Sequence, residues 1–213
     1  MKIRYNYLVI EGNIGAGKTT LATRISEQFN ARLILEHFAD NPFLPKFYQD
    51  PEKYSFPLEL SFLASRYKQL REELVSQDLF KSFTVADYYF MKSLVFAAST
   101  LTGDEYNLYR QIFYIIYGSL PKPDLFVYLH LNPEKLLQNI EKRGRNYEKS
   151  ITKEYLQKIQ DSCFTFFKQN PGNKYLVIDI NNIDFVLNES HYGMVVNTIF
   201  NNNFQDGMNM VIL

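Results

Sequence analysis

YLVIEGNIGAGKTT, residues 7–20, decides the fold. It opens as a near-continuous apolar run, the pattern of a strand buried on both faces of a parallel sheet. Gly12, Asn13, Ile14, Gly15, Ala16, Gly17, Lys18, Thr19 and Thr20 then satisfy G-x-x-x-x-G-K-[ST] in full. LATRISEQF continues as a helical pattern. Glycines at these places let the backbone curl so that successive N–H groups converge on phosphate oxygens, and the following helix adds the positive end of its dipole. Lys18 is placed to neutralise β and γ phosphates, and the Thr19 hydroxyl to reach Mg²⁺. Such a match arises by chance in on the order of one chain in a hundred, and its strand-before, helix-after context is rarer still. A glycine-rich turn with an incidental lysine is therefore set aside.

Working outward, Tyr5 to Glu11, Arg32 to Glu36, Phe83 to Asp87, Asp124 to Leu131 and Lys174 to Ile180 read as five buried strands separated by helical patterns. That alternation predicts an α/β fold with a parallel sheet. Phe56, Leu60, Leu63, Tyr67, Leu70 and Leu74 recur at steps of four and three, which predicts a helix starting near Pro57 with Glu59 and Arg66 on one edge of its apolar stripe. Asn132-Pro133 predicts a helix start, and Thr152 can cap the next helix, which ends before Pro171-Gly172. Gly103-Asp104 splits the aromatic stretch from Tyr88 to Gly118 into two helices. Residues 1–200 are expected to form one domain, and the asparagine-rich segment 201–213 a surface tail.

Composition narrows the function classes. Two hundred and thirteen residues suffice for one substantial core, and 23 Lys plus Arg against 23 Asp plus Glu leave no net charge. A protein held on nucleic acid polymers or anionic membranes by long-range charge is excluded, so any anion site is local. Sixteen Tyr and eighteen Phe suggest a core or pocket built from rings. The single cysteine, Cys163, sits among phenylalanines as a small core residue and rules out an internal disulfide framework. No apolar run reaches the roughly 20 residues of a membrane span, and the start lacks a secretory pattern. The expected location is cytoplasmic.

A GTPase needs N-K-x-D, and the nearest string, Asn173-Lys174-Tyr175-Leu176, lacks the aspartate. Motor and RecA-like ATPases are larger. Small kinases acting on small acceptors remain. EGNIGAGKTT at Glu11, EHFADNPFL at Glu36, FYQDPEKYSFPLELSFLASR at Phe47, VAD at Val85 and KRGRNYE at Lys142, in this order over nearly the whole chain, resemble the deoxyribonucleoside kinase family. The resemblance implies a P-loop kinase fold with a five-stranded parallel sheet flanked by helices, an arginine-bearing lid near 143–150, and a homodimer. It also implies ATP or another nucleoside triphosphate with Mg²⁺ as the donor complex and a deoxyribonucleoside as acceptor. The implied reaction is phosphorylation of the 5′-hydroxyl in nucleotide salvage.

Residue by residue, the resemblance gives Glu36, at the end of the second predicted strand, the task of orienting the hydroxyl and taking its proton; neighbouring His37 is the rival base. Asp87 follows Thr-Val-Ala, where an acid reaches Mg²⁺ through water. The family has arginine next; Tyr88 stands there instead. Two readings of Lys92 stand open, a replacement cation or a solvated lysine. Arg143 and Arg145 match the family's lid and would fork onto phosphate oxygens, with Gly144 as a hinge. Tyr48 and Glu148 match residues holding the sugar 3′-hydroxyl. Glu59 lies where many relatives pair glutamine with the base. An ionised glutamate only accepts, which favours an amino-bearing base, deoxyadenosine first, and Arg66 on the same edge is expected to pair with Glu59. Phe96 resembles the ring that stacks on the base. The helix from Glu105 to Tyr117 carries more apolar residues than one buried face needs, which fits a dimer seam.

Two rival functions are weighed. A thymidylate-type monophosphate kinase would need further basic contacts for the acceptor phosphate, against which Tyr88 counts. A kinase-like binding subunit without turnover is favoured only by Tyr88 and opposed by Lys18, Thr19, Glu36 and the lid.

Overall fold

The strands β1 (Tyr7–Gly12), β2 (Arg32–Ile34), β3 (Thr84–Ala86), β4 (Leu125–His130), β5 (Lys174–Asp179) and β6 (Gly207–Ile212) form one sheet in the order β2-β3-β1-β4-β5-β6. Every pairing is parallel. The computed structural model describes residues 3–36, 41–75, 80–145 and 148–213. Helices are α1 (Lys18–Phe29), α2 (Leu44–Gln49), α3 (Pro51–Val75), α4 (Met91–Thr100), α5 (Gly103–Tyr117), α6 (Pro133–Arg143), α7 (Lys153–Gln169) and α8 (Glu189–Asn201). Two compact units are distinguished. One takes residues 1–35, 78–88 and 122–213, with the sheet, α1 and α6 to α8; the other takes 36–77 and 89–121, with α2 to α5.

In the sheet unit, the apolar runs behave as read: Leu8, Val9 and Ile10 are wholly buried, as are Phe126, Val127 and Leu129 on the neighbouring strand. The sheet has six strands, not five. The sixth comes from the segment expected to be a tail, where Gly207–Ile212 pairs with Lys174–Asp179. The reason is that an edge strand needs only one covered face. Its residues alternate half-buried and exposed, a pattern that Met-Asn-Met does not advertise as apolar alternation. β1 lies between β3 and β4, so successive crossovers leave it in opposite directions; α/β sheets place ligands at such a switch point, beyond the carboxyl ends of the strands.

Local signals set the helix ends. Asn132 precedes α6 with Pro133 in its first turn, and Gly144 ends it at φ 71°. The Thr152 hydroxyl accepts from the Tyr155 N–H at the start of α7, as expected. Cys163 is buried, as a small core residue is expected to be. In the helical unit, α3 begins at Pro51 rather than near Pro57, which lies inside the helix. Proline suits a first turn, and Pro51 takes that place. Gly103 opens α5 and separates it from α4, as the sequence predicts.

Candidate active site

The sheet unit carries the phosphate loop. Gly12 ends β1, and Gly17, at φ 85° and ψ 16°, precedes Lys18 at the start of α1. A Cβ on Gly17 would stand 2.8 Å from the Phe185 ring, so both dihedral and space demand glycine. Asn13 fixes the loop: its side-chain N–H donates to the Leu156 carbonyl at 2.7 Å, while its Oδ1 accepts from the Ile14 N–H at 2.9 Å. Lys18 donates from Nζ to the Asn13 carbonyl at 2.9 Å, folding back over the loop it serves.

Thr19 and Asp87, 68 residues apart, are brought together: the Thr19 hydroxyl donates to Asp87 Oδ2 at 2.5 Å. β1 leads to one and β3 to the other, and these strands are neighbours in register Tyr7 to Thr84. A hydroxyl and a carboxylate are hard oxygen donors that suit Mg²⁺, which takes few protein ligands and keeps waters and phosphate oxygens. Among the described residues no cluster of three or more His, Cys, Asp or Glu could hold a metal, so a denser metal cage is not built there.

The lid residues also meet. Arg143 donates from Nη2 to Glu148 Oε1 at 2.5 Å and from Nε to Oε2 at 3.1 Å, and Arg145 Nη1 lies 3.6 Å from the same carboxylate. Glu148 is buried while both guanidinium groups remain more than a third exposed, so they are positioned yet accessible to an anion.

The helical unit carries a second cluster around Glu36. Arg66 donates to Glu36 Oε1 from Nε and Nη2, each at 2.9 Å, and Lys92 donates to Oε2. Burial alone would raise the Glu36 pKa. Lys92 and Arg66 outweigh it and hold the carboxyl down to about 2, so it is ionised at neutral pH. The Arg66 partner differs from expectation: its ion pair is with Glu36, and its Nη1 donates to Ser93 Oγ at 2.9 Å. Glu59 and Arg66 are seven residues apart on α3, about 10 Å of rise, which separates their end groups unless both fold along the axis. Lys92 is no solvated lysine, since it is mostly buried against Glu36, and its Nζ lies 5.7 Å from the Phe96 ring centroid. Tyr88, at the position where the family has arginine, is fully buried.

Glu59 is 3% exposed. Its Oε1 accepts from the Thr100 hydroxyl at 2.9 Å, while its Oε2 has no hydrogen-bond partner among the described residues. Burial raises its pKa to about 7, against the lowering effects of the Arg66 charge and the Thr100 hydrogen bond. Ser93 and Thr100 were not singled out by sequence; for Thr100 the signal was the spacing Lys92, Phe96, Thr100, one residue per turn along one face of α4. His37 and the side chain of Tyr48 lie outside the described residues.

Residues 8–205 match the family described as deoxynucleoside kinase. The chain is 40% identical over 192 residues to the deoxyguanosine kinase of Bacillus subtilis (strain 168), covering 87% of this chain and 92% of that one. It is 35% identical over 185 residues to the deoxyadenosine kinase of Dictyostelium discoideum, covering 84% and 74%. A solved structure of deoxyadenosine kinase from M. mycoides, with the products dCMP and a flexible dCDP bound, has a TM-score of 0.77 at 24% identity. It covers 91% of this chain and 98% of that one, and so shares the fold.

Proposed function

We propose, from the premise that this chain belongs to the deoxynucleoside kinase family, that it transfers the γ-phosphoryl group of Mg-ATP to the 5′-hydroxyl of a purine deoxynucleoside. The observation that carries the reading is Glu36, a buried carboxylate kept ionised by two cations, in a chain that also holds a complete phosphate loop. The loop N–H groups and Lys18 hold the β and γ phosphates. Thr19 and Asp87 would hold Mg²⁺, which would supply positive charge to the phosphates. Glu36 accepts the hydrogen bond of the 5′-hydroxyl and aims its oxygen at phosphorus. As the new O–P bond forms and the bond to the departing ADP oxygen breaks, the hydroxyl proton passes to the carboxylate. In a loose transition state that proton leaves late, so a carboxylate of low pKa suffices. Arg143 and Arg145 meet the charge spread over the transferring group. Lys92 takes the place of the absent arginine by holding Glu36 from the Oε2 side.

Glu148 and Tyr48 hold the sugar, Phe96 stacks on the base, and Glu59 meets the base edge. The relatives named above act on deoxyguanosine and deoxyadenosine, two amino-bearing purines, as Glu59 favours. The exposed Leu108, Tyr114 and Ile115 on α5 give a homodimer its seam. Salvage of deoxynucleosides in the cytoplasm is the corresponding role.

The test is a steady-state assay of ATP and Mg²⁺ with each deoxynucleoside and each monophosphate. Turnover of deoxyguanosine or deoxyadenosine is expected, and Glu36→Gln should lower kcat by roughly 10²-fold or more. Phosphorylation of monophosphates alone, or full activity in Glu36→Gln, overturns the assignment.

A further inference from the structure

A hydroxyl carries one proton, yet the Thr100 hydroxyl lies 2.9 Å from Glu59 Oε1 and 3.1 Å from the Phe96 carbonyl, both of which accept when Glu59 is ionised. It can serve only one of them. With the Thr100 proton on Glu59 Oε1, the proton of a neutral Glu59 belongs on Oε2. That oxygen, Oε2, is buried and has no hydrogen-bond partner among the described residues. Leaving a buried acceptor unmet is unfavourable, a cost that a ligand can recover. Phe96, the candidate base platform, is tied to this carboxyl through the same hydroxyl.

We propose that Glu59 is a protonatable specificity residue whose Oε2 donates to the unprotonated ring nitrogen of adenine when neutral and accepts from the ring N–H of guanine when ionised. The preference between the two purines then follows the protonation of one side chain. The inference rests on the deoxynucleoside kinase reading above. The edges of the bases require the distinction: adenine offers an acceptor N1 beside an amino donor, guanine an N1–H donor flanked by a carbonyl on one side and an amino donor on the other. A neutral carboxyl protonated on Oε2 matches the adenine edge as glutamine does; a carboxylate accepts from the N1–H and 2-amino groups of guanine but meets a lone pair at adenine N1. Burial has already moved the Glu59 equilibrium to the neutral range, about 7.

The charged and titratable neighbours are accounted for. On α3 itself Arg66 favours the ionised form, but its guanidinium is engaged with Glu36 and Ser93. From α5 the Tyr109 hydroxyl approaches the Glu59 carbonyl at 3.4 Å and is neutral, its pKa pushed up by burial and by Glu59. On α4 Lys92 is bound to Glu36, and Thr100 and Ser93 carry no charge. On α2 Lys46 lies beside the rings of Phe43 and Tyr54.

The experiment measures kcat/KM for deoxyadenosine and deoxyguanosine from about pH 5.5 to 8.5, because their ratio cancels every titration the two reactions share. The adenosine-to-guanosine ratio should fall by at least about tenfold between pH 6 and pH 8, approaching tenfold per unit for one proton. In Glu59→Gln the ratio should not vary with pH. Thr100→Val removes a hydrogen bond that favours the ionised form, so the fall should move to higher pH, a displacement that a purely structural threonine would not cause. A flat ratio in the unaltered enzyme, the same slope in Glu59→Gln, or an unmoved midpoint in Thr100→Val overturns the proposal while leaving the kinase reading intact. Absence of turnover with both nucleosides at every pH overturns both.

Discussion

Replacing Lys92 by methionine keeps the length of the side chain and removes its charge from Glu36 Oε2. The cost can be approached from two sides. Two unit charges about 3 Å apart at an effective dielectric constant of about 20 attract by about 5 kcal/mol before desolvation is charged against them. Breaking a buried pair by deleting one partner typically costs about 3–5 kcal/mol, and Arg66, still on Oε1, holds this case to the lower end or below. From the other side, Glu36 is lowered from 4.5 to about 2 with burial working against the shift. That net change corresponds to about 3 kcal/mol, and Lys92 is the larger of the two cationic causes. Both routes give about 2 kcal/mol for Lys92→Met near pH 7, or a Tm lower by roughly 4–8 °C. Because the folded-state pKa lies below the unfolded one, this stabilisation is present above about pH 4.5 and is lost as pH falls toward 2. The deficit of the variant should therefore be full at neutral pH and shrink in acid. Urea unfolding at several pH values measures the deficit. With one cation gone, the Glu36 pKa climbs back toward the carboxylate range, so the kcat profile should acquire an acidic limb near about pH 4–5 that the unaltered enzyme lacks. A variant with unchanged stability at neutral pH and no new limb would refute the claim that Lys92 holds Glu36.

Gly17→Ala tests the loop: a left-handed φ and a Cβ at 2.8 Å from the Phe185 ring together should cost about 2 kcal/mol or more, with KM for ATP raised more than KM for the nucleoside. Adding Phe185→Ala should recover only the steric part, and a neutral Gly17→Ala in thermal melts would contradict the geometry. For the α5 face, Ile115 is 79% exposed, so Ile115→Asp should leave the fold intact and convert a dimer to monomer by light scattering; an unaltered chain that is already monomeric removes the seam.

What sequence disclosed depended on how locally each feature is encoded. Five strands were legible because two-sided burial requires continuous apolar runs, as in Leu8 to Ile10. β6 was not, since one face of Met208, Met210 and Ile212 remains exposed and its other face interleaves glycine, asparagine and valine. Pro57 misled because a first-turn proline and a mid-helix proline look alike until Pro51 is seen to open the helix. The phosphate loop lies within one short stretch and could be read directly, whereas Arg143, Arg145 and Glu148 were picked out through the family resemblance and their mutual pairing was not foreseen. The Glu36 cluster could be read only in part, because Glu36, Arg66 and Lys92 come from separate segments, and residue spacing on α3 suggested a different partner for Arg66.

Glu36 and Glu59 make the chemical consequence of that clustering plain. Both are glutamates of the helical unit, both are buried, and both feel Arg66, yet one is held to about 2 and the other raised to about 7. Burial pushes each upward; the difference is made by where the cations are spent. Arg66 places its Nε and Nη2 on Glu36 and Lys92 adds its ammonium, whereas Glu59 receives one neutral hydroxyl and a more distant share of Arg66. A carboxylate that must orient a hydroxyl has to be ionised throughout the working pH range, and two cations secure that. A carboxyl that must read a base edge gains from being near its titration point. The same arginine thus separates two chemically identical side chains into a fixed anion and an adjustable acid. Any change that draws Arg66 away from Glu36 should alter turnover and base preference together, read as kcat and as the ratio of kcat/KM for the two purine nucleosides.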